Sequence, residues 1–216
     1  MMKLIYIYDP ICGWCYGFTP VIQQLQQQYA GKMEFEILSG GMLTGDNRRP
    51  ASSMHAYILQ AHTRVEETTG VKFGDAFLHQ YLASQEIMDS VKPSVALTVF
   101  KQYQPENAID FAHDMQVALN YEGISLNNNT VYEQLATKYH IPAAEFVAKM
   151  EDEHNRYATQ QEFQMVQQWG ITGFPAAILD TGKQLYMIAK GYTPLARLQE
   201  VIEKIKAEEE AAKQDV

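Results

Sequence analysis

Cys12 and Cys15 are the only two cysteines in a chain of 216 residues. They sit in the segment Asp9-Pro10-Ile11-Cys12-Gly13-Trp14-Cys15. On a helix, side chains three positions apart are neighbours on one face. Two sulfurs placed in this way can form a disulfide or exchange one, with a thiolate as the attacking species. A helix opening at the first cysteine favours the thiolate, because unpaired N–H donors and the positive end of the helix dipole meet at its N-terminus. The spacing therefore predicts two different roles. Cys12, at the helix edge, is expected to be exposed and to attack. Cys15, one turn further in, is expected to be more buried and to resolve the mixed disulfide.

Two simpler readings compete with this one. The pair could be half of a structural zinc site, but such sites are as a rule four-coordinate. The chain has no second cysteine pair, and its six histidines (His55, His62, His79, His113, His140 and His154) show no zinc-finger spacing. No metal ligand is assigned. Alternatively, both thiols could be inert core residues, since free cysteine packs as a small hydrophobe. Their place at a strand-to-helix junction argues against that.

The surrounding pattern supplies the junction. Lys3 to Tyr8 is apolar and β-prone, as in a buried parallel strand, and Asp9-Pro10 ends it. A helix is expected from about Cys12 to about Tyr29, with Gly31 just beyond its end and Pro20 kinking it. Met33 to Leu38 reads as a second strand, closed by Ser39-Gly40-Gly41. A β-α-β unit of this kind should be parallel. From Gly45 to about Arg156 helical patterns take over with no β-like alternation. Ser52 or Ser53 is expected to cap a helix running to Thr69, and a short helix is expected over Asp75–Ala83. Further helices are expected from Ser90, from Pro105, from Asn129 as a cap, and from Pro142 past Met150. After a helix ending at Trp169-Gly170, Pro175–Asp180 and Gln184–Ala189 read as antiparallel strands. A final helix follows, with Thr193 as its cap. Leu195, Leu198, Val201, Ile202 and Ile205 form its apolar face. The charged segment from Ala207, which includes Glu208-Glu209-Glu210, is expected to fray into a solvated tail.

The element order is thus β-α-β, a helical block, then α-β-β-α. This is an α/β fold in which residues 1–45 and 157–216 form one unit and 46–156 an all-helical insertion. The net charge of −9, with 17 scattered Lys and Arg, leaves no basic stripe for a nucleic-acid backbone or an anionic membrane. The N-terminal apolar stretch of about five residues is shorter than the roughly 7–15 of a signal peptide. A cytoplasmic protein is expected on that basis.

With the elements in place, a resemblance becomes readable. Tyr8-Asp9-Pro10-Ile11-Cys12-Gly13-Trp14-Cys15-Tyr16-Gly17-Phe18 resembles the active-site segment of DsbA-like thioredoxin-fold proteins. It is most similar to their predicted cytoplasmic disulfide isomerases, the FrnE-type subgroup. Pro20 matches the kinking proline of that helix. Gly170-Ile171-Thr172-Gly173-Phe174-Pro175-Ala176 is similar to the family's cis-proline loop. The resemblance implies a thioredoxin fold interrupted by the helical insertion, and a cis bond at Pro175. It further implies that the loop packs on the cysteines and keeps metal away. The backbone at Phe174 would bind an extended substrate segment by strand addition. Gly13 and Trp14 are expected to contact substrate, although Trp14 reads equally well as an exposed aromatic lid. The implied partners are protein or peptide thiols and disulfides, with glutathione a further candidate and no cofactor.

One departure matters. Gly13-Trp14 replaces the Pro-His of strongly oxidising members, and no Lys or Arg lies between Leu4 and Gly31. With no cation to stabilise a thiolate and Asp9 nearby, a weakly favoured Cys12 thiolate and a more reducing couple are expected. Two other readings of function stay open. Kappa-type glutathione enzymes share the inserted architecture, but they typically carry serine at the position of Cys12. A non-catalytic adaptor could use the same fold for binding. Ser39-Gly40-Gly41-Met42 is read as a turn in preference to a wall of the thiol site. His55 and His62 share a helix face and are read as surface or core residues in preference to partners of Cys12.

Overall fold

The computed structural model describes residues 1–214. At its centre is β1 (Met2–Tyr8), whose residues Leu4 to Tyr8 are all buried. β1 pairs in parallel with β2 (Met33–Ser39) and antiparallel with β5 (Ala176–Asp180), which pairs antiparallel with β6 (Leu185–Lys190). The sheet order is β2-β1-β5-β6. Side chains alternate across a strand, and β1 uses both faces. Leu4, Tyr6 and Tyr8 enter the large core shared with α1 (Gly13–Gln28) and the helical region. Ile5 and Ile7 face the other way, onto Leu38, Val166, Ile171, Ala176 and Ile178. The strand is buried on both sides over Leu4 to Tyr8 because all five of those residues are apolar or aromatic.

The helical region comprises α2 (His55–Thr69), α3 (Val91–Phe100), α4 (Ala108–Asn120), α5 (Asn129–Lys138) and α6 (Ala143–Met150). α7 (Glu153–Gln168) runs through residue 156 and packs its Val166 on the second sheet face. α8 (Leu195–Gln214) packs against α1 and β6 and buries Leu198, Ile202 and Ile205. Among the described residues no helix is long and apolar enough to cross a membrane.

Several local expectations are corrected. The insertion does contain strands: β3 (Arg49–Pro50) and β4 (Ile87–Met88) form a two-residue antiparallel ladder. Two residues are too few to show alternation in a sequence. Neither Ser52 nor Ser53 caps α2. A 3-10 turn over Ala51–Met54 precedes that helix, and Ser53 Oγ donates instead to the Pro50 carbonyl at 2.6 Å. Asn128, not Asn129, caps α5, its side chain accepting the Thr130 N–H at 3.0 Å. Residues Ala76–Tyr81 form a π-helical turn. The helix opened by Pro142 stops at Met150, and Asp152 caps the next by accepting the His154 N–H at 2.9 Å. α8 stays helical from Ala207 to Gln214, and the remainder of the expected frayed tail lies outside the described residues.

Candidate active site

Cys12 is the last non-helical residue before α1, with φ −71° and ψ 116°. Its sulfur occupies the position of a helix-capping oxygen, accepting the Cys15 N–H at 3.4 Å. The capping interaction satisfies a donor that helix geometry leaves unpaired. The turn leading in is held by the Cys12 N–H, which donates to the Asp9 carbonyl at 3.2 Å. Both cysteines are free thiols.

The two sulfurs differ in setting. Cys15 is 0% exposed and Cys12 7% exposed, so the order is the expected one, but Cys12 itself is buried. The reason is the loop opposite. Cys12 Sγ lies 3.6 Å from the Phe174 carbonyl oxygen, which covers it. The Phe174–Pro175 peptide is cis. Cys15 Sγ accepts the Asp9 N–H at 3.4 Å. Burial, followed by the hydrogen bond with Cys12, pushes the Cys15 thiol well above the ordinary range. Cys15 is therefore held as a neutral thiol.

Beneath the pair a polar cluster ties α1 to the helical region. Tyr6 Oη lies 3.3 Å from the Cys15 carbonyl and 2.9 Å from Thr19 Oγ1. Thr19 Oγ1 in turn lies 2.8 Å from Gln116 Oε1 of α4. Pro20 follows Thr19 within α1, where it leaves the Tyr16 carbonyl without an intrahelical donor. Trp14 is half-buried and packs on the core, so it is not a freely exposed lid.

The Ser39-Gly40-Gly41-Met42 segment is more than a turn. A Cβ at Gly40 would lie 2.0 Å from the Phe174 ring, and one at Gly41 would lie 2.8 Å from the Phe163 ring. Gly41 also has φ +70°, a left-handed conformation that glycine adopts at no steric cost. The two aromatic rings thus rest on bare backbone. Together these residues line a groove of about 1000 Å³, with Tyr157 and Gln164 of α7 on its far wall. A smaller cavity of about 400 Å³ on the other side of Phe174 is bordered by Trp169, Met187 and Lys190. Ile171, Thr172 and Phe174 line both.

Two sequence candidates fall outside this arrangement. His62 Nδ1 lies 2.9 Å from the Leu59 carbonyl, and its ring contacts Phe73, whose own ring abuts Gly13. Phe73 therefore separates His62 from the dithiol turn. His55 opens α2 and makes no contact with the pair that the structure records. Among the described residues there is no cluster of three or more His, Cys, Asp or Glu side chains that could hold a metal. Two residues escaped the sequence reading, Phe163 and Ser90, and so did the hydrogen-bond partners of the Asp9 carboxyl group. Only Asp9 carried a signal, as an acidic residue next to the cysteine turn.

A central β-α-β, a following antiparallel β-β-α and a dithiol at the first helix N-terminus define a thioredoxin-fold protein with a large helical region. The chain belongs to the DSBA-like thioredoxin domain family, whose model matches residues 3–203. Members of that family are thiol–disulfide oxidoreductases and related isomerases. Among solved structures, a candidate protein disulfide isomerase from Nitrosomonas europaea is similar at 28% identity and a TM-score of 0.86. The match covers 96% of this chain and 98% of that one. The cytosolic disulfide reductase DsbM from Pseudomonas aeruginosa shares the fold at 22% identity and a TM-score of 0.77, over 95% and 99% of the two chains. DsbM is also known in a structure with glutathione. A 2-hydroxychromene-2-carboxylate isomerase shares the fold at 11% identity and a TM-score of 0.64, over 99% and 97%. No curated protein matches this sequence.

Proposed function

We propose that this protein is a dithiol–disulfide oxidoreductase that reduces or isomerises disulfides of proteins or peptides in the cytoplasm. The observation that carries the reading is the pair itself: Cys12 Sγ caps α1 at 3.4 Å from the Cys15 N–H and faces the Phe174 carbonyl at 3.6 Å. A Cys12 thiolate attacks one sulfur of the substrate disulfide, forming a mixed disulfide and releasing the other substrate sulfur as a thiolate. Cys15 loses its proton and attacks Cys12 Sγ. The second substrate thiol departs, and the Cys12–Cys15 disulfide keeps the oxidation that the substrate gave up by gaining two electrons. A thiol reductant then resets the pair, and glutathione is the class we assign. The glutathione-bound DsbM relative supports that assignment.

Substrate approach follows the same geometry. The Phe174 backbone pairs with the extended segment around the substrate cysteine, Pro175 shapes that edge, and Gly13 and Trp14 border the approach to Cys12. The groove behind Phe174 offers room for the rest of the segment. The intact pair disfavours a kappa-type glutathione transferase, which typically carries serine at the position of Cys12.

Reduction of insulin by glutathione, followed by turbidity, tests the reading. The wild type should accelerate it, and neither Cys12→Ala nor Cys15→Ala should match the wild type. Activity that survives in Cys15→Ala and still needs glutathione would favour the transferase reading instead.

A further inference from the structure

Asp9 is fully buried, yet no lysine or arginine pairs with it among the described residues. Its carboxyl group instead receives three hydrogen bonds from three parts of the chain. The Ile11 N–H donates to Oδ1 at 3.0 Å from the cysteine turn. The Met42 N–H donates to Oδ2 at 2.7 Å from the loop after β2. Ser90 Oγ donates to Oδ1 at 3.0 Å from the residue preceding α3. Ser90 is itself fixed: its Oγ accepts the Leu43 N–H at 3.0 Å, and its own N–H donates to the Leu43 carbonyl at 2.9 Å.

The donor set identifies the protonation state. Two of the three partners are backbone N–H groups, which can only donate. The third, the Ser90 hydroxyl, already accepts the Leu43 N–H and has its own hydrogen to donate. A protonated carboxyl would leave either its own O–H or the Ser90 hydroxyl proton without an acceptor, a costly arrangement in a buried site. The geometry therefore calls for the ionised form. Burial works in the other direction, raising the Asp9 carboxyl above its ordinary range, and the three donors counter it. The ionisable groups facing this carboxylate are Cys15, Tyr8 and Asp89, none of them a cation.

The same residue touches the dithiol through its backbone. The Asp9 N–H donates to Cys15 Sγ at 3.4 Å, and its carbonyl accepts the Cys12 N–H at 3.2 Å. The residue that carries the buried carboxylate thus touches both cysteines through its backbone and holds the turn.

We propose that Asp9 is a positioning residue for the exchange reaction. Its carboxylate locks the cysteine turn to the loop after β2 and to the helical region. Its charge disfavours a thiolate in the reduced pair and so makes the couple more reducing. The inference rests on the redox reading above and goes beyond the nearness of Asp9 in sequence by giving its carboxylate a fixed place and three donors.

The test is the equilibrium constant between the Cys12–Cys15 disulfide and glutathione. It should be measured on the full chain at about pH 9, above the ordinary range of a cysteine thiol. Asp9→Asn keeps the size of the side chain and removes the charge. It should favour the reduced pair by about tenfold, equivalent to about 30 mV for a two-electron couple. Ser90→Ala removes one hydrogen bond and keeps the charge, so its constant should stay within about twofold of wild type. A folded Asp9→Asn with the wild-type constant overturns the proposal, as does a Ser90→Ala shift as large as that of Asp9→Asn. Should Asp9→Asn fail to fold, the Asp9 carboxyl carbon resonance of the wild type gives the answer. Linkage is reciprocal, so the Asp9 titration must move between the oxidised and reduced forms, and an unchanged titration overturns the proposal. A wild type that forms no Cys12–Cys15 disulfide in oxidised glutathione refutes the redox reading and this inference together. An unchanged constant in Asp9→Asn refutes the inference alone.

Discussion

Replacing Gly40 with alanine should damage the site through a residue that is not itself altered. The new Cβ would lie 2.0 Å from the Phe174 ring. Carbon atoms pack best at about 3.5–4.0 Å, so the ring must retreat by at least about 1.5 Å. Backing away is not free, because Phe174 packs against both hydrophobic clusters. Overpacking of this kind costs about 1–3 kcal/mol. The ring cannot move far without disturbing its own backbone, whose carbonyl faces Cys12 Sγ at 3.6 Å. Gly40→Ala should therefore lower the urea midpoint by the equivalent of about 1–3 kcal/mol. It should also lower kcat/KM for insulin reduction. Combining it with Phe174→Leu, which removes the two ring atoms nearest the new Cβ, should recover most of the stability lost by Gly40→Ala alone. A Gly40→Ala protein with wild-type stability and activity would refute the reasoning, and so would a double variant less stable than Gly40→Ala.

Two other outcomes follow from groups around the site. Thr19→Val keeps the shape of the side chain but withdraws the hydroxyl shared by Tyr6 and Gln116. Leaving those buried groups short of a partner should cost about 1–3 kcal/mol in chemical denaturation, and a change below about 0.5 kcal/mol would contradict the role assigned to the cluster. His113, stacked on Tyr16, is held below its ordinary value of 6.5, chiefly by burial. The folded state therefore resists its protonation. The stability this group contributes is present above pH 6.5 and is lost as the pH falls toward the lowered folded value, with a slope of at most about 1.4 kcal/mol per pH unit. His113→Phe should flatten that slope between about pH 7 and pH 5, and an unchanged slope would show that His113 is not its source.

The parts legible in the sequence were those with a local signature. Lys3–Tyr8 is apolar at nearly every position, and Pro10 stands directly before the cysteine turn, so the strand-to-helix junction was readable. Gly170 to Pro175 was readable through its likeness to a known loop. What escaped depends on contacts between distant residues. Asp9 and Ser90 are 81 positions apart, and only the folded chain brings the hydroxyl to the carboxylate. Gly40 looks like any turn glycine until Phe174 is seen to rest on it. The cap of α2 was misread for a related reason: Ser53 found a nearer partner in the Pro50 carbonyl, and a 3-10 turn took the place of a capped start. Helix ends are decided by such small competitions, and several arrangements of neighbouring polar residues differ by a few tenths of a kcal/mol to about 1 kcal/mol.

The central claim concerns which sulfur attacks and which resolves, and trapping measures it most directly. Cys15→Ala should accumulate a mixed disulfide with a peptide substrate, and mass spectrometry should locate the linkage at Cys12. Cys12→Ala should trap far less, because Cys15 is fully buried and held as a thiol. Equal trapping by the two variants, or none by either, would contradict the account.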